Sequence, residues 1–196
     1  RTPAGAEVQK SVPLTVSRML GLVAVEPALF SPNEDGRNDR LSVSFGLSVP
    51  SAVGVRVTRE GRWVASPLTA TYAPGLHTFE WNGMRAAGRI KDGDYSLIVE
   101  ASDALVGPVS VAVPFSVDST APRVRFLPAR GIRLEVNEPG RLWVRIDGAR
   151  VEREVRKAGV VRVRWNGAAS RVRVVAEDAA GNRSKPVVRL RRPGSG

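Results

Sequence analysis

The sequence predicts an all-β protein built as two β-sandwiches in tandem, and three observations carry that expectation. Apolar residues recur with period two in short runs separated by turn residues, as strands with one face in a core require. No segment sustains a helical period, and Ala86–Gly88 is too short and too close to glycine to count. Landmarks of the first half return loosely in the second, which marks repeated units, and 196 residues suffice for two sandwiches of about 100 residues each.

Taken in order, Leu41–Leu47 alternates apolar with small or polar residues, and Val53–Val57 continues the pattern. Glu60-Gly61 turns the chain into Arg62–Ala65, a hairpin. Asp92-Gly93 turns it into Tyr95–Ala101, and Val109–Val117 supplies a further strand whose Pro114 suits a sheet edge. Trp81-Asn82-Gly83 has a counterpart in Trp165-Asn166-Gly167. Each is followed by a strand ending in an acidic–alanine step (Glu100–Ala104, Ala176–Ala180) and then by a proline–valine strand (Pro108-Val109, Pro186-Val187). The offset falls from 84 at the tryptophans, 165 less 81, to 75 at the aspartates, 178 less 103, so the second unit has a shorter loop where the first carries Met84–Asp94. Val12–Val16 echoes Val113–Val117. Residues 1–17 therefore read as the last strand of a preceding domain or a linker, 18–117 as the first sandwich, 118–192 as the second, and 193–196 as a disordered tail. Asp118–Pro122 is the boundary, a polar linker that proline stiffens and that is too short for free tumbling.

Composition narrows the chemistry. Apolar residues make up 42%, enough for two cores, and no run approaches the roughly 18 apolar residues of a membrane span. Arg1 opens no basic and apolar leader, so the chain reads as a mature or excised piece, with any export signal upstream of it. There is no cysteine, which excludes disulfides, thiolate nucleophiles and cysteine metal sites. Residues 1–117 hold 11 basic and 11 acidic side chains, whereas residues 118–196 hold 19 and 8, so the entire net charge of +11 belongs to the second unit.

Phe30-Ser-Pro-Asn-Glu-Asp-Gly-Arg-Asn-Asp39 resembles the opening motif of immunoglobulin-like domains related to the C-terminal domain of flagellar hook-capping proteins. His77–Gly83, Ala87-Gly-Arg89 and Asp92-Gly-Asp-Tyr95 are similar to that family's later landmarks, in the same order. Glu34 stands where glycine is usual and Asn82 where aspartate is. The resemblance covers about Leu20–Val117, while the Asp118–Pro122 linker and Glu177–Asn182 resemble bacterial Ig-like repeats more generally. It implies two tandem immunoglobulin-like (fibronectin III-like) β-sandwich domains used for display, spacing or assembly, with no catalytic residues. The expected function is a non-catalytic structural or adhesive module pair of an exported bacterial cell-surface or secreted protein. Its rivals are an accessory C-terminal region of a secreted hydrolase (protease or cell-wall amidase) and a polyanion- or cell-wall-binding module. The expected partners are other domains of the same chain, cell-wall polymers or other surface proteins, and not nucleic acid, because the stacking aromatics of RNA-binding sheets are missing.

Three sets of residues are candidates for chemistry. Asn33, Asp35, Asn38 and Asp39 gather hard oxygen donors in one glycine-containing loop, a candidate for structural calcium; the same side chains also suit turn capping. Arg123, Arg125, Arg145, Arg162, Arg164, Arg171 and Arg173, with Arg133, Arg189 and Arg191, alternate with apolar residues. Period two turns them away from the core, toward polyanions or simply toward water. Trp63, Trp81, Trp143 and Trp165 are expected as packed core or corner anchors, in preference to exposed platforms that stack on sugar rings, and Tyr95 as a tyrosine corner. His77 is the single histidine, which excludes a two-histidine metal site and leaves a serine triad without a nucleophile elbow.

Overall fold

The computed structural model describes residues 19–105, 107–129, 131–165 and 169–190. The strand expected before residue 18, Asn166-Gly167, Arg191 and the tail lie outside the described residues. The first module holds β1 (Leu20–Glu26), β2 (Leu29–Phe30), β3 (Leu41–Leu47), β4 (Ser51–Arg59), β5 (Arg62–Tyr72), β6 (Gly75–Trp81), β7 (Met84–Arg85), β8 (Gly88–Arg89), β9 (Gly93–Ser102) and β10 (Val109–Val117). The second holds β11 (Val124–Phe126), β12 (Ile132–Val136), β13 (Gly140–Ile146), β14 (Ala149–Val155), β15 (Gly159–Val163), β16 (Arg171–Glu177) and β17 (Val187–Leu190).

Both modules are two-layer sandwiches, and their strand orders repeat. In the first, β1-β3-β6 forms one sheet and β2-β10-β9-β4-β5 the other; in the second, β11-β12-β15 forms one and β17-β16-β13-β14 the other. Without the two-residue β2, the first module's sheets map strand for strand onto the second's, a three-plus-four fibronectin III-like arrangement. The small β7–β8 ribbon has no counterpart among the described residues, and it occupies the longer loop that the falling offset indicated. Pro114 sits where β10 has β9 on one side but no strand partner on the other among the described residues, because β2 pairs only with Ser116 and Val117. An edge position spares the missing N–H.

Alternation fills the two cores. Leu41, Val43, Phe45 and Leu47 of β3 face Val53, Val55 and Val57 of β4 and Leu97, Val99 and Ala101 of β9. The second core is separate and almost purely aliphatic: Leu134 and Val136 of β12, Leu142, Val144 and Ile146 of β13, Val172 and Val174 of β16. Each such side chain contributes about 1.5–3 kcal/mol relative to exposure.

Three tryptophans correct the sequence expectation. Trp81 is a core residue, 5% exposed, but Trp63 is 67%, Trp165 37% and Trp143 36% exposed. Strand parity is the reason. Trp143 lies between buried Leu142 and Val144 and must point outward with Arg141 and Arg145. Trp63 pairs with Thr58, which follows buried Val57, beyond the register shifts between β4 and β5.

Candidate functional site

The landmarks of the first module converge on the end that meets the second. Phe30 packs 6.1 Å from Trp81, ring centre to ring centre, and Phe115 lies 6.5 Å from Trp81 and 5.6 Å from Tyr95, stacked on the latter. Gly83, with φ +76°, is there because a Cβ would press on Pro32 and Phe30 at 3.0–3.1 Å. The Phe-Ser-Pro and Trp-Asn-Gly motifs are thus two halves of one packed corner. The Tyr95 hydroxyl donates to the Lys91 carbonyl at 2.7 Å, four residues upstream, in the manner of a tyrosine corner.

The loop from Asn33 to Asp39 is held by its own side chains. Asn33 Oδ1 accepts from the Asp35 amide (2.9 Å), and Asp35 Oδ1 from the Arg37 amide (2.9 Å). The two Asp39 oxygens accept from the amides of Glu34 (2.5 Å) and Gly36 (2.6 Å). Glu34, at φ +65°, occupies the left-handed region with no glycine to ease it, and its carboxylate pairs with Arg89. Four of the oxygens offered by sequence as candidate calcium ligands, Asn33 Oδ1, Asp35 Oδ1 and both of Asp39, thus accept from backbone amides, the turn-capping use. The amide nitrogens of Asn33 and Asn38 point elsewhere, toward the second module.

There Asn33 meets Asn182, which is 1% exposed. Its Oδ1 accepts from Ser31 Oγ (2.5 Å) and Asn33 Nδ2 (2.6 Å); its Nδ2 donates to the Asp118 carbonyl (2.8 Å) and to Asp178 Oδ2 (2.9 Å). An asparagine amide has two donors and two principal acceptor sites, so all four are used, shared among the first module, the linker and the second module. Asn38 Nδ2 donates to the Ala180 carbonyl at 2.7 Å, and Arg37 lies 3.7 Å from Glu177 across the same seam. From the other side Asp92 fastens the linker: its Oδ1 accepts from the amide (2.8 Å) and hydroxyl (2.6 Å) of Ser119, and its Oδ2 from the Thr120 hydroxyl (2.5 Å).

Three carboxylates collect at this junction. Asp118, Glu138 and Asp178 have oxygens within 4.8 Å of one another, the only such acidic or histidine group among the described residues. Gly140, at φ +152°, makes the approach feasible, because a Cβ there would collide with the Glu177 carbonyl. Burial, and then the Asp178 and Asp92 charges, push the Asp118 carboxyl up, against a bond from the Thr120 amide that lowers it. Burial, Asp178 and Asp118 raise Glu138, against a lowering bond from Asn137. Burial would raise Asp92 too, but its bonds from Ser119 and Thr120 outweigh it and bring it down.

The arginines expected to share one cationic face divide between two. Arg145, Arg171 and Arg173 stand on the outer face of β17-β16-β13-β14. Arg125, Arg133 and Arg162 lie on β11-β12-β15, where Arg133 and Arg162 are direct cross-strand neighbours and Arg125 pairs with Glu135. Arg123 and Arg164 are exposed in the segments beside β11 and β15. Arg189 does not face water with the rest: it pairs with inward Val172, lies 4.8 Å over the Phe126 ring and donates to the Gly131 carbonyl at 2.8 Å. His77 has its Nε2 2.8 Å from the Ala73 carbonyl and rests against Tyr72 and Phe45, with no hydroxyl partner among the described residues.

No protein-family model matches the chain, and no curated protein does. Among solved structures, it is similar to the fibronectin(III)-like modules of Clostridium thermocellum CbhA, at 16% identity and a TM-score of 0.43 over 85% of this chain and 91% of that one. It is also similar to a Ca2+-stabilized adhesin of an Antarctic bacterium that binds ice (17%, TM-score 0.37, 86% of this chain and 46% of that one). A third is the Salmonella enterica SafA pilin in complex with the SafB chaperone (10%, TM-score 0.38, 92% and 99%). The chain spans about half the length of that adhesin. Among the described residues no helix is long and apolar enough to cross a membrane.

Proposed function

We propose that this chain is a non-catalytic spacer, a pair of Ig-like modules of an exported bacterial cell-surface or secreted protein that holds what it carries at a set distance and direction. The observation that supports this most is Asn182, whose one buried amide ties both modules and the linker together. A spacer transmits direction only if its joint lacks slack, and here Asp92 also binds Ser119 and Thr120, so the linker is fastened from both ends. We read the first module as related to the C-terminal domain of flagellar hook-capping proteins, because its motif residues perform connected jobs: a packed corner, a self-capped loop and a fastened linker. The location outside the cytoplasm rests on that resemblance.

The test is a distance measurement. The chain has no cysteine, so Thr69→Cys and Lys157→Cys, both exposed and one in each module, place two spin labels uniquely. The expected result is one narrow distance distribution that broadens when Asn182→Ala is added. A broad distribution in the parent protein would overturn the spacer, and an equally narrow one in the variant would show that the joint is stiffened elsewhere.

A further inference from the structure

The outer face of the four-stranded sheet in the second module carries a chemistry that the spacer does not use. Cross-strand register aligns its side chains into rows. One row places Arg150 of β14, Arg145 of β13 and Arg173 of β16 directly opposite one another. Like charges in direct opposition are destabilising, and none of these three guanidiniums has a carboxylate partner among the described residues. The next row places Glu152, Trp143 and Val175 side by side. Trp143 is 36% exposed and has Arg141 5.5 Å over its ring, while Arg141 is itself paired with Glu152 at 2.9 Å. The two rows line a concavity of about 420 Å³ on an otherwise regular sheet.

An aromatic plane, a carboxylate and three unpaired guanidiniums in adjoining rows together specify a ligand that is amphipathic, hydroxylated and anionic. We propose that this face binds an acidic polysaccharide of uronate units. A pyranose ring offers an apolar C–H face to the indole of Trp143 and hydroxyls to the Glu152 carboxylate. The uronate carboxylates accept bidentate bonds from arginine, geometry that lysine cannot supply. Neighbouring strands are about 4.8 Å apart, so the row Arg150–Arg145–Arg173 repeats its charge at nearly the length of one sugar residue, and the polymer runs across the strands. Glu152, at the edge-strand end of the row that holds Trp143 and Val175, favours a hydroxylated chain over a phosphodiester backbone, whose charge it repels. The opposite sheet has a concavity of about 510 Å³ beside Arg123, Arg125 and Glu135, but no aromatic ring lines it and Arg125 is neutralised by Glu135. This inference is independent of the joint: the face would bind equally well on a flexible chain.

The experiment is calorimetric titration of the whole chain with oligogalacturonate, with neutral dextran and a single-stranded oligonucleotide as comparisons. Binding of the uronate and not of dextran is expected, with quenching of indole fluorescence that disappears in Trp143→Phe or Trp143→Ala. Arg145→Gln with Arg173→Gln should weaken binding by at least about tenfold, and Trp143→Ala alone by about tenfold. The charge-matched pair Arg125→Gln with Arg162→Gln, on the other sheet, should leave affinity within about twofold. All these side chains are exposed, so their replacement leaves the core intact. No binding, an equal loss in the opposite-sheet pair, or tighter binding of the oligonucleotide through the same residues would each overturn the assignment.

Discussion

The two modules share a strand order but fill their cores differently. The first buries Phe30, Phe45, Trp81, Tyr95 and Phe115 and is electrically balanced; the second fills its core with valine, leucine, isoleucine and alanine and leaves Trp143 and Trp165 partly in water. One topology therefore tolerates two kinds of filling, provided that volume and alternation are kept. In the aliphatic module, indoles are released for the surface, where they stand among arginines. The comparison teaches that a tryptophan's role in this fold follows from its parity along the strand and not from its size.

The largest expected effect follows from that contrast. Trp81→Ala should cost about 3–5 kcal/mol of stability and unfold the first module at far lower urea, whereas Trp143→Ala should stay within about 0.5 kcal/mol. Urea unfolding of both variants checks the pair, and similar losses would break the comparison. Asn182→Ala comes next. It strands Ser31, Asn33, Asp178 and the Asp118 carbonyl in a buried seam, and about 1–3 kcal/mol should be lost, with the two modules then melting separately in a calorimeter.

A smaller effect is expected from the acidic trio. Because Glu138 is raised in the folded chain, its protonated form favours folding. That stability is whole below the unfolded carboxylate range and is lost as pH rises through the folded value. Glu138→Gln, whose amide oxygen can keep the bond from Asn137, should stabilise the chain at pH 7 by about 0.5 kcal/mol, a gain that fades as pH falls to about 4. Asp92 works in the opposite sense, losing its contribution as pH falls through its lowered value. Thermal melts at both pH values separate the two. Least of all is expected from calcium: with the loop's carboxylates already bonded to amides, millimolar calcium should leave the melting temperature unmoved. A rise that Asp39→Asn abolishes would instead assign Asn33, Asp35, Asn38 and Asp39 to the ion.

Much of the fold was legible because alternation is a local property. Leu41–Leu47 and Leu142–Ile146 announce their faces within seven and five residues, and the same parity that turned Arg141 and Arg145 outward was available for Trp143, whose bulk invited the opposite reading. The Phe30–Asp39 and Glu177–Asn182 stretches both stood out as motifs, but nothing local joins them. The residues that Asn182 binds in the first module lie 151 and 149 positions away, and in the chain it looks like any turn asparagine.

Composition and periodicity by themselves determined the class of fold, the side of most strands that meets a core (β17, where Arg189 turns inward, is the exception), and the step in charge at Asp118. Tertiary structure alone decided which loop of one module would seat on which loop of the other, and which arginines would stand in line across three strands. Burial can be read from neighbours one and two residues apart, whereas docking and register arise between segments far apart in the chain, where the winning pairing depends on the geometry of everything folded around it.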